Sequence, residues 1–186
     1  MAEDAFARLV SLACHDLRTP LATINGLAKT LVRGQGLGER ESRFVEMIDG
    51  AAGQLAGLLE ELSVAARIAD GRYEPVLADA DTLELACSSD ERILVTGNGE
   101  VVATDVAAVR RSLESLAITA CRHGSLDSVT WSVTGRELVL SPVTEDAEPV
   151  VTGESPRELG ALVARAVIEQ LGGTLTAGGR ALHVKL

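Results

Sequence analysis

The chain has 186 residues, 46% hydrophobic and 24% charged, a balance that suits a globular protein of one or two domains and excludes wholesale disorder. Its formal net charge of -10 disfavours nucleic acid and anionic membrane as partners, because binding a polyanion draws on counterion displacement by Lys and Arg. A protein partner is the better expectation. The N-terminal MAEDAFARLV has two acids before its first base and neither an apolar signal core nor a cleavage site, and no later run approaches the roughly 18 apolar residues of a membrane span, so the expected location is the cytoplasm. Cys14, Cys87 and Cys121 are odd in number and lack metal-site spacing, which predicts reduced thiols and no metal site.

From Phe6 to Leu31 the positions Phe6, Val10, Ala13, Leu17, Pro20, Ile24, Leu27 and Leu31 alternate in steps of four and three, the seam of a long helix. Gly34-Gln35-Gly36-Leu37-Gly38 then supplies the permissive dihedrals for a reversal. Phe44, Ile48, Ala51, Leu55, Leu58, Leu62 and Ala65 repeat the alternation in a second helix running from about Glu39 to Ile68. Two helices of roughly 28 to 30 residues, about 42 to 45 Å long, joined by so short a loop must lie antiparallel. Leu9, Leu12, Leu21, Ala28 and Leu59 widen the apolar stripe beyond what one neighbour buries. Pairing two hairpins into a homodimeric four-helix bundle resolves this, a monomer whose C-terminal domain covers the stripe being the competing arrangement.

Residues 1–70 thus form one domain, and past Gly71 the period changes. Glu91–Val95 and Glu100–Ala103 are predicted as a strand pair around Gly97-Asn98-Gly99, since Asn-Gly is a hairpin signal. Asp105 can cap a helix to about Arg122 that buries Val109, Leu113, Leu116, Ala117 and Ala120. Ser128–Val133 and Glu137–Leu140 alternate around Thr134-Gly135-Arg136 as a second hairpin, and Ser141 to Pro156 is acidic, turn-rich and aperiodic. A helix is predicted from Pro156 to Leu171, stopped by Gly172-Gly173, before a last hairpin of Thr174–Thr176 with Leu182–Leu186. Residues 71–186 therefore predict a sheet with two helices on one face, and the chain as a whole an α+β protein.

On a heptad wheel with Val10 at a, His15 falls at f, farthest from the seam. An outer-surface histidine is ordinarily a solvated side chain. Here Asp16 follows directly, Thr19 shares its face at i+4, and Pro20 removes a backbone hydrogen bond within the helix. Such a break costs on the order of 3 kcal/mol and points to a locally deformable functional segment. Neutral imidazole is nucleophilic near pH 7, and the phosphoramidate it forms transfers readily to a carboxylate. Asp16 can accept the His15 proton or orient the ring, and Thr19 can hold a water in line with a phosphorylated partner.

Ser11-Leu12-Ala13-Cys14-His15-Asp16-Leu17-Arg18-Thr19-Pro20-Leu21 resembles the H-box of sensor histidine kinases, carried on their dimerisation and histidine-phosphotransfer hairpin, and the resemblance covers residues 3 to 70. It implies His15 as phosphoacceptor, Asp16 as its acid/base neighbour, Thr19 as the residue positioning water for phosphatase action, and response-regulator receiver domains as partners, with an upstream sensor kinase as a further candidate.

The second half resembles the family's ATP-binding domain less closely. Ser115 and Thr119 stand where its helix carries asparagines, and Thr119 takes the place of the magnesium ligand. Ser141-Pro142-Val143-Thr144-Glu145 replaces an Asp-x-Gly-x-Gly segment that reads adenine, and Glu158-Leu159-Gly160-Ala161 replaces Gly-Leu-Gly-Leu. Gly160, Glu169, Gly172 and Gly173 survive as fold-keeping positions. A triphosphate needs glycine-lined N–H groups, whereas Glu158 would set a carboxylate against it. The resemblance is therefore to histidine phosphotransferases built from a kinase hairpin and a degenerate ATPase-like α/β sandwich, which relay phosphate between regulators. No cofactor of its own is expected, ATP binding is not expected, and magnesium would come from the receiver. The alternatives are an ATP-dependent kinase with an atypical nucleotide site and a non-enzymatic dimer that sequesters a signalling partner.

The remaining polar residues have plainer readings. Cys14 is a small filler beside the seam, His123 suits the helix dipole at its end, and His183 is structural or exposed. Arg110, Arg111 and Arg122 either meet an acidic partner or form a solvated helix face.

Overall fold

The computed structural model describes residues 2–33 and 38–186. The expected turn at Gly34 to Leu37 lies outside the described residues, as do the side chains of Phe6, Leu9 and Leu12. Contacts divide the chain into two compact units, 1–73 and 74–186.

The first unit is α1 (Ala2–Arg33) packed on α2 (Glu39–Ala69). Pro20 sits inside α1 without ending it, and Asp70 with Gly71 at φ +66° closes α2. What the hairpin buries is not the expected seam. Cys14, Leu21 and Ala28, seven residues apart, are buried on α1, and Val45, Ala52, Val64 and Ala66 on α2. Leu17, Ile24, Leu27 and Leu31 on α1 and Phe44, Ile48, Leu55 and Leu58 on α2 are about half exposed. The hairpin therefore closes on a line beside the seam, where Cys14, Ala28 and Ala52 allow close approach of the helices, and it leaves the bulky a and d side chains outside.

The second unit comprises β1 (Leu77–Asp81), α3 (Thr82–Ala86), β2 (Ile93–Gly99), β3 (Val101–Asp105), α4 (Val106–Gly124), β4 (Val129–Gly135), β5 (Glu137–Ser141), α5 (Glu148–Val151), α6 (Leu159–Gln170), β6 (Thr174–Gly178) and β7 (Ala181–Lys185). Five strands form a sheet in the order β2-β4-β5-β7-β6, and β1 and β3 form a separate pair. Inward residues Trp131, Val133, Leu138, Leu140, Leu182 and Val184 pack under Leu113, Leu116, Ala117 and Ala120 of α4 and Ala161, Ala164 and Ile168 of α6. Alternate residues such as Thr96, Ser132 and Thr176 are exposed, the pattern of a sheet solvated on one face. Asp105 caps α4 by accepting from the Ala108 N–H at 3.1 Å.

Three expectations are corrected here. β2 and β3 do not form a hairpin: β2 pairs in parallel with β4, and β3 pairs antiparallel with β1. The glycines that suggested a turn serve close approach instead, since a Cβ on Gly97 (φ +110°) would overlap the Val133 carbonyl and one on Gly99 would overlap the Asp81 carboxylate. β1 and α3 escape the sequence pattern because LADAD has one large apolar residue, Leu77, which is exposed, and no β-branched or aromatic residue; Asp81 starts α3 by accepting from the Leu83 N–H, and buried Thr82 bonds the Gly135 carbonyl and the Glu100 N–H. The segment 141–156 is not an open loop, because Val143, Ala147, Val150 and Val151 are buried and α5 forms within it, while α6 starts at Leu159 and not Pro156.

Gly97→Ala is accordingly expected to destabilise the second unit by at least about 2 kcal/mol, combining backbone strain with a backbone overlap. Urea unfolding of the full chain would measure it, and an unchanged midpoint would contradict the close β2–β4 approach.

Candidate functional site

His15 lies on the outer surface of α1, where Cys14 and Leu21 turn toward α2 and Leu17 and Ile24 turn to the exposed apolar face. Its side chain is 78% exposed and that of Asp16 69%. His15 Nδ1 lies 3.2 Å from Asp16 Oδ1. With the proton on Nδ1 the carboxylate orients the ring and leaves the Nε2 lone pair facing solvent. Thr19 is exposed one turn further on. Pro20 has no N–H to offer the Asp16 carbonyl, which would be its helical partner four residues back. The Thr23 hydroxyl donates to the Thr19 carbonyl at 3.1 Å, a side-chain bond to the backbone in the same weakened turn.

Sequence reading did not single out the ion pair beside this histidine. The Arg18 guanidinium donates from Nη2 to Glu60 Oε2 at 2.7 Å, crossing from α1 to α2, and Arg67 Nη2 stands 3.9 Å from Glu60 Oε1. The pairing joins residues 42 apart, so only the antiparallel register of the two helices could have revealed it.

In the second unit, Thr119 is 3% exposed and donates its hydroxyl to the Ser115 carbonyl at 2.7 Å. That hydroxyl is turned into the fold. Ser141 ends β5 in register with Thr130, and the Val143 N–H donates to the Arg180 carbonyl, so this segment is stitched to the sheet. Glu158 precedes α6 and accepts from Arg122 Nη1 at 2.6 Å, with His123 Nε2 at 3.1 Å from the same oxygen. His123 therefore pairs with a carboxylate, a contact the helix-dipole reading did not include. Similarly, His183 Nδ1 is 3.4 Å from Glu137 Oε1. Among the described residues, no three His, Cys, Asp or Glu side chains gather so as to hold a metal ion, and no helix is long and apolar enough to cross a membrane. At this region the Thr119 hydroxyl is thus bonded to its own helix, and a carboxylate stands at the start of α6.

Burial by itself would raise the Glu158 pKa, but the hydrogen bonds from Arg122 and His123 outweigh it and hold the group below its usual 4.5. Its ion pairs therefore add stability that is present above the unfolded-state value and lost as pH falls through the lower folded value. Glu158→Gln is expected to remove about 1 kcal/mol or less of stability near neutral pH. Acid titration of thermal stability should show that difference fading below the ordinary carboxylate range; a constant difference at all pH values would contradict the assignment.

Residues 7–71 match the family model of the His Kinase A (phospho-acceptor) domain, a span that contains His15, Asp16 and Thr19. Over 80 residues the chain is 34% identical to the sensor protein DivL of Caulobacter vibrioides, an alignment covering 43% of this chain and 10% of DivL. The chain thus spans about a tenth of that relative's length. Among solved structures, full-length ShkA in complex with AMPPNP matches 95% of this chain and 44% of its own at TM-score 0.66 and 17% identity. The histidine kinase AdeS of Acinetobacter baumannii matches 92% of this chain and 96% of its own at TM-score 0.57 and 16% identity. The helical hairpin followed by an ATPase-like α/β domain is thus the fold of these solved histidine kinases, and the His Kinase A (phospho-acceptor) match lies within the hairpin.

Proposed function

We propose that this chain is a homodimeric histidine phosphotransferase that exchanges a phosphoryl group between His15 and the aspartates of response-regulator receiver domains. The observation that carries the reading is the exposed His15 imidazole, tied through Nδ1 to Asp16 within the phospho-acceptor match. In the uptake step the Nε2 lone pair forms a bond to phosphorus as the aspartyl O–P bond breaks, its electron pair returning to the receiver's carboxylate. The imidazole becomes cationic, and Asp16 stabilises that charge or takes up the Nδ1 proton. Because His15 stands on the outer surface, a receiver can dock without opening the hairpin, and its own acidic site and magnesium supply the electrostatics of transfer.

An inward Thr119 and a Glu158 carboxylate already engaged by Arg122 and His123 support transfer without ATP. The second reading is an ATP-dependent kinase, favoured by the fold shared with ShkA, whose structure carries AMPPNP. A single experiment separates them. Labelled phosphate is offered to the full chain either on ATP with magnesium or on phosphorylated receiver domains. Acid-labile, base-stable label arriving only from receivers supports phosphotransfer; label arriving from ATP restores the kinase; label from neither favours a sequestering dimer.

A further inference from the structure

A phosphoryl group on His15 would bring about two negative charges to a site that already holds Asp16 at 3.2 Å from the ring. Between residues 11 and 19 the one basic side chain is Arg18. Three residues after His15 on a helix, it is a surface neighbour of the histidine, with Cβ atoms about 5 to 6 Å apart. It also lies on the side of His15 that turns toward α2, where buried Leu21 marks the interhelical contact. There the guanidinium is held by Glu60, whose other oxygen is 3.9 Å from Arg67.

We infer that Arg18 is the phosphoryl-binding residue of this site and that Glu60 is the positioning residue that holds it until His15 is phosphorylated, whereupon Arg18 exchanges the carboxylate for the phosphoryl oxygens. The inference rests on the phosphoacceptor reading and deepens it. Three features favour exchange over a locked pair. Arg18 and Glu60 have side chains 55% and 38% exposed, and an ion pair in water is worth little, so breaking it is easily offset. The incoming phosphoryl group carries more charge than the carboxylate and accepts the guanidinium fork in two parallel bonds. Arg67, poised at 3.9 Å, takes over Glu60 when Arg18 leaves, so the carboxylate does not lose its cation. Lysine at position 18 would keep the charge without the fork.

The test uses the 15N-labelled full chain treated with potassium phosphoramidate. The His15 Nε2 lone pair forms the new N–P bond, the reagent's P–N bond breaks, its electron pair departs on ammonia, and the ring keeps its Nδ1 proton. Phosphohistidine is followed by its 31P signal and Arg18 by its guanidinium Nε–H resonance, assigned by loss in Arg18→Gln. In the wild type the Arg18 resonance is expected to move as the phosphohistidine signal grows, and to stay still in treated His15→Ala. In Glu60→Gln it should be displaced before treatment and reach the wild-type phosphorylated position afterwards. Phosphohistidine should accumulate about three- to fivefold more slowly in Arg18→Gln, the loss of one exposed charge contact, with Arg18→Lys between the two. Phosphohistidine forming with an unmoved Arg18 resonance overturns the exchange and leaves the phosphoacceptor reading standing. Failure of any phosphohistidine to form on wild-type His15 overturns the reading and the inference with it.

Discussion

His15→Ala is expected to abolish phosphoryl acceptance from every phosphorylated receiver while changing the stability of the full chain by no more than about 0.5 kcal/mol. The imidazole is 78% exposed, so its removal opens no cavity, and its one polar contact is to an equally solvated neighbour. The chemical loss is complete because, among the described residues, no other group on that face offers a nucleophile of comparable strength at pH 7. Asp16→Ala should slow transfer by roughly a hundredfold, the low end of the range for a proton-handling group, because a 3.2 Å contact in water orients the ring only weakly. Thr19→Ala should leave transfer intact and slow receiver dephosphorylation, since its hydroxyl stands beside the attack and not in it. Acid-labile, base-stable label counted on each variant, with circular dichroism melts alongside, separates these outcomes. Undiminished label on His15→Ala would remove the histidine from the mechanism.

How much of this the sequence discloses depends on how local the causes are. The two long helices are legible because steps of four and three repeat over eight positions in α1 and seven in α2, enough to outweigh Pro20 inside α1. α4 is legible from Asp105, whose capping bond joins residues three apart. Pairings set by distant residues are not. Gly97-Asn98-Gly99 has the local chemistry of a turn, yet Gly97 answers to Val133, 36 positions on, through backbone contact. Arg18 and Glu60 look like two ordinary surface charges until the antiparallel register brings them together. The heptad pattern discloses that a broad apolar stripe exists but not which line closes the hairpin. The line that closes it is Cys14, Leu21 and Ala28 on α1 with Val45 and Ala52 on α2, while Leu17, Leu27 and Leu55 lie outside. At the second unit, Glu158 reads in sequence as an obstacle to phosphate; its engagement with Arg122 and His123 adds that the position is filled by structural ion pairs.

The full chain is expected to sediment as a dimer at micromolar concentration, and Ile24→Glu combined with Leu55→Glu should convert it to a monomer. Leu17, Ile24, Leu27 and Leu31 on α1 and Phe44, Ile48, Leu55 and Leu58 on α2 are large apolar side chains left about half exposed by the hairpin. A continuous apolar face of that kind is what a second copy buries around a two-fold axis. The hairpin's own contact is small, so a second layer is expected to contribute much of the free energy that holds α1 and α2 straight. In a symmetric dimer the double substitution removes four buried aliphatic side chains and faces four carboxylates toward the centre. At about 1.5 kcal/mol or more for each lost side chain, before any cost of burying charge, dimer affinity should fall by at least roughly four orders of magnitude. The melting temperature of the wild type should also rise with protein concentration, because only the folded state dimerises, and that dependence should vanish in the double variant. Sedimentation equilibrium on both proteins decides the matter. A wild type that stays monomeric at every concentration would mean that the stripe is covered within the chain, and a dimer that survives both glutamates would place the interface elsewhere.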